Sequence, residues 1–330
     1  MRFDVSELKS LQTCERQWKL TSRNAYHLRP ASHAANPNLV FGALFHEALH
    51  AMYLGGNIDT IIEQTLRELG NDEPARRTMS NMLSGYYEEV LPGDLEKYQV
   101  LDIEHSVHIR LPELSVYDIL PSGERVLNEE DSVEICGSID MLLLEKETGA
   151  IHGFEHKTTK TFRDDIQIIM DEQPRVYFLE LQRYVEKLNV DWAFKTSNTH
   201  KITLAQALRE VPYKVGSIHI NEVKKVQRKF EYKRRACRYS PEQIDKFAQK
   251  LSRVGRRIQD LSMNPDVCTA QPGYMTCKMC DYATICETYG YEEPELEELL
   301  DEFAEEYQIR DVDHLDEKME RTITGEADNA

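Results

Sequence analysis

The sequence predicts an α/β fold in which a mixed sheet is flanked by helices. Apolar segments with strand character alternate along the chain with amphipathic helical segments, which is typical of such folds. The apolar fraction is 41% over 330 residues, enough for a substantial hydrophobic core. The predicted strands cover residues 98–110, 133–157, 215–222 and 227–236.

The predicted helices show apolar residues that recur every three or four positions. The first is an N-terminal helix, for which Ser6 is the expected N-cap. A second helix, from about Leu39 to Tyr53, ends before two consecutive glycines. Later helices are expected at 58–69, 74–91, 171–188 and 241–261, of which the first two form a helical insert at about 58–92.

A predicted hairpin carries three charged residues at one end of its strands. Asp140 ends the first strand, Glu155 and Lys157 end the second, and Gly149 is the expected turn residue. Residues two apart on a strand share a face, so Glu155 and Lys157 point the same way and His156 points away. Two carboxylates favour a hard divalent cation, and a neighbouring ammonium group favours a phosphate. The pattern outlines a metal-dependent phosphodiesterase, although charged residues are also common at strand ends.

The net charge of −18 is unevenly distributed and does not exclude a nucleic-acid partner. Residues 291–330 hold sixteen acidic and three basic residues, a net charge of −13. Residues 214–257 hold fourteen basic and four acidic residues, a net charge of +10. No apolar run approaches the ~20 residues that span a bilayer, and the N-terminus has no apolar signal region. We expect a cytoplasmic protein of a prokaryotic or phage-infected cell, with no membrane partner.

The basic segment contains aromatic residues between its cations, an arrangement suited to phosphates and stacked bases. The aromatic residues are Phe230, Tyr232 and Tyr239. The alternative is a solvated strand face whose aromatic side chains pack inward. The residues expected to contact DNA are Lys224, Lys225, Arg228, Lys229, Lys233, Arg234 and Arg235, together with Arg16 near the N-terminus.

Three of the seven cysteines form a compact group suited to a metal centre. Cys277 and Cys280 have the C-x-x-C spacing, and Cys286 follows six residues later. Tetrahedral zinc and a four-iron cluster both need a fourth ligand, and the spacing alone does not distinguish them. The candidates for the fourth ligand are Cys14, Cys136, Cys237 and Cys268.

Four motifs and a set of cysteines occur in a distinctive order along the chain. They are Gly42-x-x-x-His46, Gly137-Ser138-Ile139-Asp140, Glu155-His156-Lys157, Gln173-x-x-x-Tyr177, and Cys14 with Cys277, Cys280 and Cys286. In this order they resemble the RecB-like exonucleases of the PD-(D/E)XK nuclease superfamily. The similar branch carries an iron–sulfur cluster and includes CRISPR adaptation nucleases, AddB nuclease domains and phage exonucleases.

The resemblance covers about residues 1–290 and implies a restriction-endonuclease-like core. It also implies a 4Fe–4S cluster, with Cys14 as the fourth ligand, that staples the helical N-terminal region to the C-terminal segment. Cys14 is followed by Glu15, where the family has proline, a departure that does not affect a ligand. Residues 291–330 remain as an acidic C-terminal tail.

The resemblance implies a role for each motif residue. His46, Asp140 and Glu155 would bind Mg²⁺ or Mn²⁺, with His156 offering its backbone carbonyl. Lys157 would orient the attacking water or stabilise the transition state. Two residues one helical turn apart would contact the lysine or the scissile strand, and these are Gln173 and Tyr177. The implied activity is exonuclease cleavage of single-stranded DNA or DNA ends in replication, recombination or repair.

Two other functional classes are compatible with parts of the sequence. His46-Glu47-Ala48-Leu49-His50 spells the H-E-x-x-H motif of zinc peptidases, but that reading leaves the hairpin and the cysteines unexplained. The chain could instead be a non-catalytic or partner-dependent subunit of a helicase–nuclease or CRISPR adaptation complex. The apolar stripe in 294–320 suggests docking onto a partner or occlusion of the DNA groove, unless the tail is solvated and disordered.

Overall fold

The computed structural model divides into two compact units, which are described separately. Unit 1 comprises residues 1–36, 106–137 and 245–330, and unit 2 comprises residues 37–105 and 138–244. The residues that the structure describes are 1–31, 37–111, 117–119, 125–127, 133–201, 203–290, 292 and 294–309.

The strands and helices of the described residues follow the predicted order closely. The strands are β1 (Arg2–Asp4), β2 (Leu28–Pro30), β3 (Tyr98–Arg110), β4 (Tyr117–Ile119), β5 (Arg125–Leu127), β6 (Glu134–Glu145), β7 (Ala150–Thr159), β8 (Lys214–Lys224), β9 (Tyr232–Cys237) and β10 (Tyr307–Ile309). The helices are α1 (Val5–Thr13), α2 (Glu15–Thr21), α3 (Pro37–Tyr53), α4 (Ile58–Glu68), α5 (Glu73–Glu89), α6 (Leu91–Lys97), α7 (Asp165–Met170), α8 (Gln173–His200), α9 (Leu204–Ala207), α10 (Pro241–Met263), α11 (Tyr274–Lys278), α12 (Ala283–Tyr289) and α13 (Leu296–Glu302).

The sheet of unit 2 is mixed, as the sequence predicts. β6 and β7 pair antiparallel, β7 and β8 pair parallel, and β8 and β9 pair antiparallel. The residues of β6 that belong to unit 1 pair in parallel with β1, and β3 also pairs with β6. The hairpin turn includes Gly149 at a φ of +70°, where a Cβ atom would lie 2.4 Å from the carbonyl oxygen of Pro212. Glycine is therefore required at this turn.

Helices α3 to α6 pack together with the sheet around the hydrophobic core of unit 2. Phe45 and Leu49 of α3 are fully buried, and they belong to one cluster with Tyr86 of α5, Met141 of β6 and Phe154 of β7. The predicted insert is confirmed as α4 and α5, and α6 extends it beyond the expected boundary. This packing places the long helix α3 against the strands that carry the charged hairpin residues.

Two predicted helix boundaries were wrong. The N-cap of α1 is Asp4, whose Oδ1 accepts a hydrogen bond from the backbone N–H of Glu7 at 2.8 Å, and Ser6 lies inside the helix. Helix α8 continues to residue 200 instead of ending near residue 188. Its later turns are anchored by Asn189, which exchanges two hydrogen bonds with the backbone of Tyr213, a tertiary contact that no local periodicity reveals.

The acidic segment is part of unit 1 as far as residue 309. Leu299, Phe303 and Tyr307 are buried against Leu28 and Tyr282, and β10 pairs antiparallel with β2. Other residues of unit 1 therefore cover the predicted apolar stripe, and its side chains are unavailable for a partner. The expected boundary at residue 291 is corrected accordingly. The rest of the predicted tail, from residue 310, lies outside the described residues. No helix in the described ranges is long and apolar enough to cross a membrane.

Candidate active site

Neighbouring strands of unit 2 bring the hairpin charges together. Asp140 lies on β6, Glu155 and Lys157 lie on β7, and the register pairs Met141 with Phe154. The two carboxylates therefore occupy the next position along the pair of strands. The ammonium group of Lys157 donates a hydrogen bond to Glu155 Oε1, so the two side chains share a face as predicted.

Asp140 is held by a strand and by a helix. Its Oδ2 accepts a hydrogen bond from the backbone N–H of His156 at 2.6 Å. Its Oδ1 lies 3.4 Å from Nδ1 of His46, which α3 supplies from its centre. The structure thus joins the histidine of the first motif to the acid of the second.

Glu155 is buried, and its two oxygens have different surroundings. Oε1 accepts hydrogen bonds from Lys157 and from Nε2 of Gln173, the latter at 3.0 Å. The same amide nitrogen donates to the hydroxyl oxygen of Tyr177 at 2.7 Å. Within the part of the chain that the structure describes, Oε2 has no hydrogen-bond partner. The first residues of α8 therefore fix one oxygen of this carboxylate and leave the other available.

The two carboxylates differ in pKa because their surroundings differ. Burial, reinforced by the charge of Asp140, raises the pKa of Glu155 to about 7. Burial also acts to raise the pKa of Asp140, but the hydrogen bond and charge of His46 outweigh it and lower that pKa to about 2. Burial opposes the charged forms of His46 and Lys157, yet the neighbouring carboxylates raise both pKa values. The basic side chains and the carboxylates therefore favour each other's charged forms.

His156 points into the core, as strand alternation predicts. Its side chain is fully buried, and its ring lies 6.2 Å from that of Tyr53 and 5.9 Å from that of Tyr86. Burial lowers the pKa of His156 to about 3, so the imidazole is neutral. Its Nδ1 lies 3.5 Å from the side-chain amide nitrogen of Asn221.

A partly buried ion pair lies behind this histidine, and no sequence pattern predicts it. Asp94 of α6 accepts two hydrogen bonds from Arg234 of β9, both at 2.6 Å. Arg234 also donates to Asn221 at 2.6 Å, and the hydroxyl of Tyr53 donates to Asp94 at 2.5 Å. Arg234 therefore stabilises the strand bearing the site and is not available for the DNA contact expected of it.

Three of the other six cations that were expected to contact DNA in the basic segment are also paired with acids. Lys224 lies 2.9 Å from Glu231, Lys233 lies 4.0 Å from Asp165, and Arg235 pairs with the buried Glu222. Arg228 and Lys229 are exposed. The aromatic residues of this segment pack inward: Phe230 and Tyr232 lie against the core cluster, and the Tyr239 ring packs on Phe178. Their expected stacking on bases is therefore wrong.

The two histidines of the H-E-x-x-H sequence have different partners. His46 lies at Asp140, whereas Nδ1 of His50 lies 3.9 Å from Glu104. Across the described ranges, one trio of His, Cys, Asp or Glu ligand atoms lies within 4.8 Å, and it comprises His108, Glu134 and Cys136 of unit 1. Glu134 is already bound by Arg2 and Arg110, and burial raises the pKa of the Cys136 thiol to about 11. This trio is therefore poorly suited to a cation.

The four cysteines named by the resemblance line one cavity of about 830 Å³ in unit 1. Cys14 lies at the break between α1 and α2, and the other three come from the segment of α11 and α12. No three of these four sulfurs lie within 4.8 Å of one another, and Cys268 is buried outside the cavity lining. The backbone N–H of Gln271 points at the Cys14 sulfur at 3.4 Å.

Residues beside Cys14 hold the segments around this cavity. Arg16 is buried, donates to the carbonyl oxygens of Gly290 and Glu292, and lies 3.7 Å from the Cys286 sulfur. Its predicted contact with DNA is therefore wrong. Glu15, which stands where the family has proline, forms two hydrogen bonds with Arg257 at 2.7 and 2.8 Å. It also accepts hydrogen bonds from the backbone N–H and hydroxyl of Thr269.

Comparison with known proteins agrees with this arrangement. A family model of the PD-(D/E)XK nuclease superfamily matches residues 2–287, so the chain belongs to that superfamily. Membership implies metal-dependent nuclease activity with Mg²⁺ or Mn²⁺, and therefore binding of DNA. No curated protein matches the chain significantly. Among solved structures, the crystal structure of SSO0001 is similar over 86% of this chain and 85% of that chain, with 12% identity and a TM-score of 0.35.

Proposed function

We propose that the protein is a metal-dependent DNA exonuclease acting on single-stranded DNA or DNA ends, in replication, recombination or repair. The observation that carries the proposal is the carboxylate pair Asp140 and Glu155, of which Glu155 is buried, with Lys157 on the same face as Glu155. Oε2 of Glu155 is buried without a hydrogen-bond partner among the described residues. A buried carboxylate oxygen in that state is unfavourable unless a cation lies beside it.

The types of donor atom at this position suit a hard divalent cation. The ligand atoms of His46, Asp140 and Glu155 do not all lie within 4.8 Å of one another, so a bound cation would draw them closer together. Asp140, Glu155 and the backbone carbonyl of His156 would hold it, together with the imidazole of His46. Bound Mg²⁺ or Mn²⁺ supplies charge neutralisation and a lower pKa for bound water. His46 lies beside Asp140 and Lys157 contacts Glu155, so each carboxylate has a basic neighbour before the cation binds.

The remaining motif residues position reacting groups. The side chain of Lys157 is 36% exposed, and the acids keep it protonated, so it can hold a non-bridging phosphate oxygen while it contacts Glu155. Gln173 binds Glu155 Oε1 and thereby orients Oε2. Tyr177 accepts from the Gln173 amide and fixes the orientation of that group. The preference for DNA ends is inferred from the family resemblance of these motifs.

We also propose that the cysteine cavity binds a 4Fe–4S cluster through Cys14, Cys277, Cys280 and Cys286. In tetrahedral zinc sites, Zn–S bonds of about 2.3 Å bring the sulfurs within about 4 Å of one another. The sulfurs are farther apart than such a site allows, which favours the larger cluster. The N–H of Gln271 and the guanidinium of Arg16 are donors to the sulfurs, as is common around such clusters.

The test of the nuclease proposal is digestion of DNA labelled at either end by anaerobically purified protein with Mg²⁺ or Mn²⁺. We expect degradation, and we expect Asp140→Asn and Lys157→Met each to lower kcat by about 10³-fold or more. Asp191→Asn and Lys187→Gln, matched exposed substitutions on α8, should not. His50→Ala should also retain nuclease activity, whereas the peptidase alternative requires His50 as a zinc ligand.

Inactivity of the wild-type protein on single-stranded, duplex and flapped DNA would contradict the proposal. Activity that appears only when a helicase or another protein is added would support the partner-dependent alternative. A brown protein with an absorbance band near ~400 nm would support the iron–sulfur cluster. A colourless protein that contains zinc would contradict it.

A further inference from the structure

Lys225 differs from Lys224 and Lys233 because no carboxylate among the described residues neutralises it. Its Nζ lies 3.4 Å from the side-chain oxygen of Asn38 and 4.8 Å from the ring centre of Phe41, both in the first turns of α3. Among the residues that the structure describes, no carboxylate oxygen lies within 4 Å of it. The preceding residue, Lys224, is paired with Glu231. Lys225 is thus held in place by α3 while its charge remains uncompensated.

Lys160 lies beside Lys225 at the end of the parallel strand pair. Thr159 of β7 is opposite Lys224 of β8, and the backbone N–H of Lys225 donates to the carbonyl oxygen of Thr159 at 2.7 Å. Burial and the charge of Lys160 lower the pKa of Lys225. Lys160 is exposed and, within the described ranges, also lacks a carboxylate within 4 Å. Two neighbouring cations without an acid repel each other, and a bound anion relieves that repulsion.

This pair of lysines lies close to the candidate active site. Lys160 follows Lys157 by three residues at the end of β7, a span of about 10 Å in extended backbone. The helix that contacts Lys225 is the one that carries His46. An anion held by the two lysines would therefore lie near the same strand end as the scissile phosphate, at a separation of about three nucleotides at ~3.4 Å each.

We propose that Lys160 and Lys225 form a subsite for an internucleotide phosphate of the substrate strand. The inference rests on the proposed nuclease function and extends it by assigning a second contact with the strand. Both groups are ammonium ions without base-reading geometry, so the contact positions the backbone and carries no sequence preference. Substrates too short to reach the subsite should be cleaved with a raised KM.

The first test measures binding of a single-stranded oligonucleotide by fluorescence anisotropy, without divalent metal, at several salt concentrations. Lys160→Gln, Lys225→Gln and the double variant should each weaken binding at low salt by about five- to tenfold and reduce the slope of log K against log salt by about 0.7. The double variant should not exceed the singles in slope, because both lysines bind one phosphate. The matched control is Lys187→Gln combined with Lys195→Gln on α8, which are exposed.

The second test begins with wild-type protein, so its first result does not depend on variant folding. Oligonucleotides carry one neutral methylphosphonate at successive positions from the cleaved bond. A methylphosphonate at the position that the two lysines contact should raise KM several-fold with little change in kcat. In Lys160→Gln the same methylphosphonate should raise KM no further. Unchanged binding in both single variants, or a methylphosphonate effect that adds fully to Lys160→Gln, would overturn the subsite. A wild-type protein that binds DNA through these lysines yet cleaves nothing would instead refute the nuclease proposal.

Discussion

The carboxylate site of unit 2 and the cysteine cavity of unit 1 differ in how their groups are satisfied. In unit 2, Asp140 and Glu155 accept hydrogen bonds from the protein and are balanced by His46 and Lys157. In unit 1, four cysteines line a cavity of about 830 Å³, and segments distant in sequence meet around it. In the first arrangement the chain itself holds every carboxylate oxygen except Oε2 of Glu155, which has no hydrogen-bond partner among the described residues, whereas the second arrangement depends on what fills the cavity. Loss of the divalent cation should therefore abolish activity at the carboxylate site, whereas loss of the cluster should destabilise unit 1.

The largest effect is expected at the cysteine cavity. Cys286→Ser should remove absorbance near ~400 nm and lower the Tm of unit 1 by about 10 °C or more, because cluster binding free energy contributes to folding. Asp140→Asn should abolish activity without lowering Tm. Differential scanning calorimetry and visible absorbance on the same preparations measure both quantities.

The matched control for this prediction is Cys268→Ala. Cys268 is buried in unit 1 but does not line the cavity, so its replacement should leave the absorbance unchanged. If Cys286→Ser kept its colour and its Tm, the cavity would not be a cluster site, and the contrast between the two regions would fail.

A second effect separates the two sites by pH. The pKa of Glu155 is raised to about 7 by burial, so a proton occupies this carboxylate below that pH and must leave before a cation binds. The apparent affinity for Mn²⁺ should fall up to about tenfold for each pH unit below 7. Isothermal titration between pH 5.5 and 8 measures this, with cluster absorbance recorded in parallel.

The cluster absorbance should remain constant over the same pH range. Above pH 7 Glu155 is ionised in the free protein, so any pH dependence that remains reflects the proton that His46, whose pKa is also raised, must lose to bind the cation. In Asp191→Asn, which changes an exposed acid, the profile should match that of the wild type. An affinity independent of pH would mean that Glu155 is not a ligand or that its carboxylate stays ionised.

Residue spacing predicts some contacts of the carboxylate site, and tertiary packing determines the others. Strand alternation placed Glu155 and Lys157 on one face and turned His156 inward, because that geometry follows from residue spacing. The family motifs named His46 and Gln173, whose distance in sequence conceals their contacts with the two acids. No local pattern pointed to Asp94 behind the site, because its ion pair depends on the packing of α6 against the sheet.

The basic segment shows why charge patterns mislead about partners. Arg234 and Arg235 look like DNA contacts in sequence, but each binds an acid from a distant element. The apolar stripe near the C-terminus was expected to suit a partner and instead covers the core of unit 1. Composition shows that such groups must be satisfied, and only tertiary structure shows by which partner.

The smallest predicted effect concerns Arg16, which is buried in unit 1 as Arg234 is in unit 2. Arg16 donates to two backbone carbonyl oxygens and lies 3.7 Å from the Cys286 sulfur. Arg16→Lys keeps the charge but loses the planar fork, so we expect a loss of about 1–2 kcal/mol in unfolding free energy. Loss of an N–H donor to sulfur should also shift the cluster potential downward, because the reduced cluster is stabilised less. Denaturant unfolding and a redox titration measure the two effects, and Arg67→Lys, at an exposed ion pair of α4, should change neither. If the potential stays fixed while stability falls, the role of Arg16 is limited to joining chain segments. Backbone donors such as the N–H of Gln271 would then set the potential of the cluster.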